Sequence, residues 1–183
     1  SLAKKVHEEI ERVESIWGFK DPRTCSFLPI WNKILNQENV IPTFLLSVRE
    51  PWAVVASHGK YYNMTEELAE LRWLQRTTEA LYHTSADCFI VHYEDWFERP
   101  EELTQGLLAY TGLDHYFDGD IEEVLHDVIK PNLNRAVYQD YIVQNKYVIK
   151  LYNLLKKCRD TEFDRTKLLS TVNECRKAMN SFK

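Results

Sequence analysis

The segment R-E-P-W-A-V-V-A-S, residues 49–57, has the residue types and spacing most suited to holding a phosphate group. It follows an apolar run at 43–49 whose length predicts a buried strand of a parallel sheet. Pro51 suits the first turn of a helix. Arg49 would offer a planar donor fork at the strand end and Ser57 a hydroxyl in the helix, an arrangement that suits oxyanions. The competing interpretation is a surface ion pair for Arg49 and a solvated Ser57.

A second apolar run, CFIVHYE at residues 88–94, places Tyr93 at the end of another predicted strand. A tyrosine there could stack on a purine ring while its hydroxyl reaches a polar group. Taken alone, Tyr93 is more typical of an ordinary half-buried aromatic residue. Two predicted helices separate the two strands, so the crossover is long enough for parallel pairing.

Charged residues also cluster at K-D-P-R, residues 20–23, after an extended segment predicted at 17–20. Asp21 could serve as a general base if its geometry and pKa suit that role. Arg23 could offset the charge of an anionic group during its transfer. The competing interpretation for Lys20, Asp21 and Arg23 is a salt-bridge cluster at a strand end.

The remaining patterns are mostly helical, and together with the extended runs they predict an α/β fold, a parallel sheet flanked by helices. We expect a single domain over residues 1–183, with only helices from 120 to 183. The first predicted helix is amphipathic, ends near Gly18 and has its apolar face on Val6, Ile10, Val13 and Trp17. A later helix is capped by Thr65, and its predicted inner face is Leu68, Leu71, Leu74, Thr78 and Leu81. The other predicted helices span 27–35, 52–58, 100–110 with Gly112 at its end, 141–157 and 165–179.

The amino-acid composition and net charge limit which classes of function are expected for this chain. The net charge of −5 and pI near 5.7 give no sign of a nucleic-acid partner or an anionic membrane surface. No apolar run approaches the roughly 20 residues of a membrane span, and nothing indicates export, so a cytoplasmic protein with four reduced cysteines is expected. No glycine-rich phosphate loop and no HExxH pattern occur, and no metal site is predicted.

In the order and spacing of its motifs, the chain resembles the sulfotransferases that use 3′-phosphoadenosine 5′-phosphosulfate (PAPS). The R-x-P-x5-S pattern matches at residues 49–57, and a Y-E-D followed by a proline matches at residues 93–100. The K-D-P-R segment at 20–23 and I-K-P-N-L-N-R at 129–135 resemble the bacterial members. The resemblance runs from about residue 17 to residue 112.

This resemblance implies a P-loop NTPase-like sulfotransferase fold, with PAPS as donor and adenosine 3′,5′-bisphosphate (PAP) as product. It implies that Arg49 and Ser57 grip the 3′-phosphate and that Tyr93 contacts the adenine ring. Lys20 would stabilise the sulfonate being transferred. The histidine base of the cytosolic enzymes would fall at Pro22, so that role does not carry over, and Asp21 is the nearest substitute.

The family's glycine- and serine-rich loop, which holds the 5′-phosphosulfate, has no match in the 183 residues. We therefore expect an N-terminally truncated sulfotransferase domain, inactive alone, with an acceptor such as a carbohydrate or a small molecule. A sheet lacking its first strand would expose an edge and invite homo-oligomers. The alternative is a noncatalytic interaction module on a degenerate sulfotransferase fold. A P-loop nucleotide kinase ranks last, because the GK[ST] loop is missing.

Overall fold

The computed structural model describes residues 2–13, 16–130 and 141–180, which form a mixed α/β structure. The predicted parallel sheet flanked by helices is confirmed. The motif at 129–135 lies mostly outside the described residues. In chain order the elements are α1 (Leu2–Glu11), α2 (Thr24–Gln37), β1 (Leu45–Val48), α3 (Pro51–Tyr62), α4 (Glu66–His83), β2 (Phe89–His92), α5 (Asp95–Glu98), α6 (Pro100–Thr111), a short 3-10 helix (Asp114–Tyr116), α7 (Ile121–Val128), α8 (Lys146–Leu155) and α9 (Arg165–Asn180).

The sheet consists of β1 and β2, paired in parallel with Leu45 opposite Phe89 and Val48 opposite His92. The chain crosses from β1 to β2 through α3 and α4, as the length of the connection predicted. All four residues of β2 are buried, whereas Leu45 of β1 is 52% exposed. In the part of the chain that the structure describes, β1 pairs only with β2. The prediction of a buried strand at 43–49 is therefore wrong for the edge of β1 that faces away from β2, because no strand covers that edge there.

The predicted extended segment at 17–20 does not join the sheet. Its aromatic rings fold back on α2 instead: Phe19 lies 4.3 Å from Trp31 and 5.2 Å from Trp17, measured between ring centroids. Contact between aromatic rings thus holds this segment without a strand partner, although Phe19 remains 44% exposed. The opening helix also ends at Glu11, earlier than the predicted Gly18.

Helix α4 is the central element of the core, since it packs against α2, α3, α8 and α9. It begins as predicted, with the hydroxyl of Thr65 accepting a hydrogen bond from the amide of Leu68. The predicted inner face is wrong at Leu68, which is 48% exposed. The buried stripe runs instead through Ala69, Glu70, Trp73, Leu74, Thr78 and Leu81.

The C-terminal helices complete the same core rather than a separate one. Val148 and Leu151 of α8 and Leu168 and Val172 of α9 are fully buried against it. The helix predicted at 141–157 begins later, at Lys146, because the Asn145 side chain caps it by accepting from the first-turn amides. Across the described ranges, no helix combines the length and apolarity required to cross a membrane.

Candidate functional site

Arg49 and Tyr93 lie side by side at the carboxyl ends of the two paired strands. The guanidinium carbon of Arg49 is 4.5 Å from the ring centroid of Tyr93, the geometry of a cation–π contact. The backbone amide of Tyr93 donates to the carbonyl of Val48 at 2.8 Å, which extends the strand ladder up to this point. Parallel pairing therefore brings together two of the three residues predicted to bind the cofactor.

The polar groups of Arg49 are only partly used by the protein. Its carbonyl accepts a 3.0 Å hydrogen bond from the indole nitrogen of Trp73, which fixes the backbone. Its Nε is buried and has no hydrogen-bond partner, and no carboxylate pairs with the guanidinium within the described ranges. A buried donor without a partner costs about 1–3 kcal/mol, so an acceptor supplied by a ligand would be favourable here.

Ser57, the third predicted cofactor residue, lies on α3, which starts at Pro51 directly beyond Arg49. It follows the buried Ala53 by one turn and is itself half-buried. Six residues of helix place it about 9 Å along the axis from Pro51. The Glu50 side chain does not cap the helix, because it accepts instead from the hydroxyl of Tyr152 at 3.1 Å.

Two carboxyl groups border the Arg49 and Tyr93 pair, since Glu50 and Glu94 follow the same strand ends. Burial raises the pKa of Glu94, and the charge of Glu50 raises it further. A carboxyl group with a raised pKa is a stronger proton acceptor than an ordinary one. Glu94 is thus a candidate base that sequence reasoning missed, although it stands within the quoted Y-E-D motif.

The predicted catalytic residues Lys20, Asp21 and Arg23 lie at the amino-terminal end of α2. Asp21 accepts from the Arg23 side chain, at 2.6 Å from Nη2, and from the Arg23 amide at 2.7 Å. These hydrogen bonds lower the pKa of Asp21, which weakens it as a base. In the described chain no contact joins the three residues to Arg49, Ser57 or Tyr93.

A cleft of ≈ 320 Å³ lies next to the strand-end pair, between α5, α6 and α7. Phe97 lines it and also contacts Tyr93, with ring centroids 5.5 Å apart. Its other walls combine apolar and charged side chains, namely Trp96, Pro100, Glu101, Glu122, Leu125, His126 and Ile129. Sequence patterns carry no signal for this cleft, because it forms between elements distant in the chain.

Side chains that could hold a metal ion do not gather anywhere in the described ranges, where no group of three or more His, Cys, Asp or Glu is found. The candidate site comprises the Arg49 and Tyr93 pair with the carboxyl groups that follow the same strand ends, and Ser57 lies on the adjoining helix α3. Comparison of the chain with protein-family models, with curated proteins and with solved structures finds no match.

Proposed function

We propose that this chain is part of a PAPS-dependent sulfotransferase with the P-loop NTPase-like sulfotransferase fold. Arg49, Ser57 and Tyr93 would hold the adenosine 3′,5′-bisphosphate half of the donor. The observation that carries the proposal is the Arg49 guanidinium, whose carbon lies 4.5 Å from the Tyr93 ring centroid at adjacent strand ends and whose buried Nε has no hydrogen-bond partner among the described residues. Ligands of open parallel sheets bind at such strand ends.

The contact between Arg49 and Tyr93 constrains how the nucleotide would sit. Arg49 covers one face of the Tyr93 ring. The adenine ring would contact Tyr93, while the planar donor fork of Arg49 beside that ring would pair with phosphate oxygens. The hydroxyl of Ser57 would supply a further donor from α3.

The reaction would move a sulfuryl group from the phosphate oxygen of PAPS to an acceptor hydroxyl or amine. The bond from sulfur to the phosphate oxygen breaks, the bond from sulfur to the acceptor forms, and the acceptor proton passes to a base. Lys20 and Arg23 would offset negative charge during transfer. Glu94, whose pKa burial raises, would take the proton in preference to Asp21, whose pKa is lowered by its hydrogen bonds with Arg23. PAP would then leave as the product.

Calorimetric titration of PAP into the 183-residue chain and into Arg49→Ala tests this proposal. We expect binding by the parent chain and a loss of at least about tenfold in affinity in the variant, because charge-assisted hydrogen bonds are removed. Arg12→Ala, which removes an exposed arginine paired with Glu9, is the matched control and should bind as the parent does. No binding by the parent chain, or equal losses in both variants, would contradict the proposal.

A noncatalytic interaction module is the second candidate, and the open edge of β1 favours it. Leu45 is 52% exposed on that strand, and Ile41, just before it, is 94% exposed. Such an edge can pair with another chain, including a second copy of this one. This candidate predicts no PAP binding and a defined oligomer in sedimentation measurements, which a charged substitution such as Leu45→Lys would dissociate.

A further inference from the structure

The cleft between α5, α6 and α7 has the size and the mixed lining of a small-molecule site. Its volume of ≈ 320 Å³ lies at the lower end of the range for ligand pockets, roughly 300–1,000 Å³. Trp96 and Phe97 supply aromatic side chains to its wall, and Leu125 and Ile129 supply aliphatic ones. A ligand that fills the cleft would therefore need an apolar body.

Helix α7 leaves much of its apolar surface uncovered. None of its eight residues is buried, and Val124 and Val128 are 46% and 64% exposed. Leu125, which lines the cleft, and Ile129, which follows the helix, are only half-buried. An apolar group placed in the cleft would remove part of this surface from water, which favours binding.

Two glutamates from different helices add negative charge to the cleft. Glu101 belongs to the first turn of α6 and Glu122 to the first turn of α7, and both line the cleft. Neither forms an ion pair within the described ranges, whereas Glu102, the neighbour of Glu101, pairs with Arg99 at 3.1 Å. Carboxylates beside an aromatic wall favour a cation over a neutral molecule or an anion.

The basic residue at the other end of α7 does not pair with these carboxylates. The ammonium of Lys130 donates instead to the carbonyl of His126 at 2.8 Å, and Lys130 does not line the cleft. The imidazole of His126 does line it, and its Nδ1 lies 3.8 Å from the Asp127 carboxylate. The lining thus carries two acidic side chains and no lysine or arginine.

We propose that this cleft binds a small organic cation, an ammonium group carried on an apolar or aromatic body. Trp96 and Phe97 would contact the ligand through their rings, which attract both apolar groups and cations. Glu101 and Glu122 would offset its positive charge. The residues assigned to the sulfate donor do not line the cleft, so the inference goes beyond the proposed function and does not rest on it.

Titration of benzyltrimethylammonium chloride into the 183-residue chain, followed by NMR of the tryptophan indole N–H signals, tests this site. Benzyl alcohol and benzoate carry the same ring with no charge and with a negative charge. Sodium chloride keeps the ionic strength constant, Trp96→Phe assigns the Trp96 signal, and pH 8 keeps histidine side chains mostly neutral.

We expect the cation to shift the Trp96 signal and to bind at least about tenfold more tightly than benzyl alcohol, because only the cation gains from the carboxylates. Benzoate should bind more weakly still. Absence of a Trp96 shift, or equal binding of the three compounds, would overturn the proposal.

Two substitutions in the same turn of α7 sharpen the test. Glu122→Gln should weaken binding of the cation about fivefold or more, because one of the two carboxylates of the cleft loses its charge. Glu123→Gln removes the same charge outside the lining and should change the affinity less than about twofold, since solvent screens exposed charges. An equal loss in both variants would show nonspecific charge attraction and would refute the site.

PAP titrations separate this inference from the proposed function. Glu122→Gln should bind PAP as the parent chain does, and Arg49→Ala should retain binding of the cation. If Arg49→Ala abolished that binding, the cation would belong to the strand-end pair and the cleft site would be refuted. If the parent bound the cation with a Trp96 shift but did not bind PAP, the proposed function would fail while the cleft site stood.

Discussion

Two charged groups follow the ends of the strand pair, and they differ in how completely the protein satisfies them. Asp95 is fully buried, and both its oxygens are paired: Oδ1 accepts from Arg159 at 2.6 Å and Oδ2 from Arg99 at 2.9 Å. Arg99 also binds Asp160 through two further hydrogen bonds. Arg49 makes no ion pair with a carboxylate among the described residues, and its guanidinium carbon lies 4.5 Å from the ring centroid of Tyr93. Its buried Nε has no hydrogen-bond partner there, and the same is true of the Nε of Arg99.

The two clusters therefore differ in carboxylate pairing, since a buried Nε without a partner occurs in both of them. The Asp95 cluster fastens the chain after α8 to β2, where Ile90 and Asp160 exchange backbone hydrogen bonds of 2.8 and 3.0 Å. The imidazole of His92 also contacts the carbonyl of Cys158 at 2.9 Å. The protein thus uses Asp95 to join distant segments of its fold, whereas no carboxylate of the described residues pairs with Arg49.

The strongest test of this contrast is Asp95→Ala. Removal of the Asp95 carboxylate leaves Arg99 without one of its buried partners. We expect the free energy of unfolding to fall by about 3–5 kcal/mol, the cost of breaking a buried ion pair. Arg49→Ala should lower the free energy of unfolding by less than about 1 kcal/mol, the size of a cation–π contact. Urea denaturation followed by circular dichroism measures both.

Asp127→Ala is the matched control for Asp95→Ala, since the Asp127 side chain is 79% exposed and lies next to His126 at the surface. We expect a change within about 0.5 kcal/mol. If Asp95→Ala were as mild as this control, or milder than Arg49→Ala, the structural assignment of the Asp95 cluster would be wrong.

Glu70 provides a second buried carboxylate with which to sharpen the comparison. It accepts from the amides of Gln144 at 2.8 Å and Asn145 at 2.7 Å, and from the hydroxyl of Tyr141. Glu70→Ala should cost about 1–3 kcal/mol, because these buried donors lose their acceptor. Hydrogen exchange should accelerate at the amides of Gln144 and Asn145, whereas the exposed Glu67→Ala should leave them protected.

The smallest expected effect is a pH dependence from Glu94. Its folded-state pKa is raised by burial and by Glu50, so the folded state binds its proton more tightly than the unfolded state does. The contribution of Glu94 to stability is therefore present at low pH and declines as pH rises through the folded pKa. Glu94→Gln should remove this decline when unfolding free energies are compared between pH 4 and 7. An unchanged slope would contradict the raised pKa.

Local patterns predicted much of the secondary structure. The Thr65 cap and the Gly112 end of α6 depend on residues within a few positions, and both stand as predicted. The inner face of α4 was misplaced at Leu68 because burial of Glu70, which binds a segment more than seventy residues away, rotates the buried stripe. The exposure of Leu68 therefore reflects a tertiary contact of Glu70 that no local sequence pattern encodes.

For the candidate site, the sequence predicted Arg49, Ser57 and Tyr93 from their motif spacing and from the strand ends that precede two of them, and the structure brings Arg49 and Tyr93 together. The sequence showed no sign of Trp73, whose indole holds the Arg49 carbonyl, or of Glu94 as a base, because both depend on how α4 and the strand ends pack. The segment at 17–20 was assigned to a strand on local composition, whereas stacking on Trp31 governs it.

By itself, the sequence determined which segments are helical or extended and which polar residues follow the strands, because propensities, caps and apolar spacing act over a few residues. Only the tertiary structure decided which charges are paired. Asp95 meets Arg159 across sixty-four positions, while Arg49 meets Tyr93 through parallel strand pairing. Whether a charged side chain is paired depends on every element packed around it, and that is the physical reason why no local pattern predicted the Asp95 cluster.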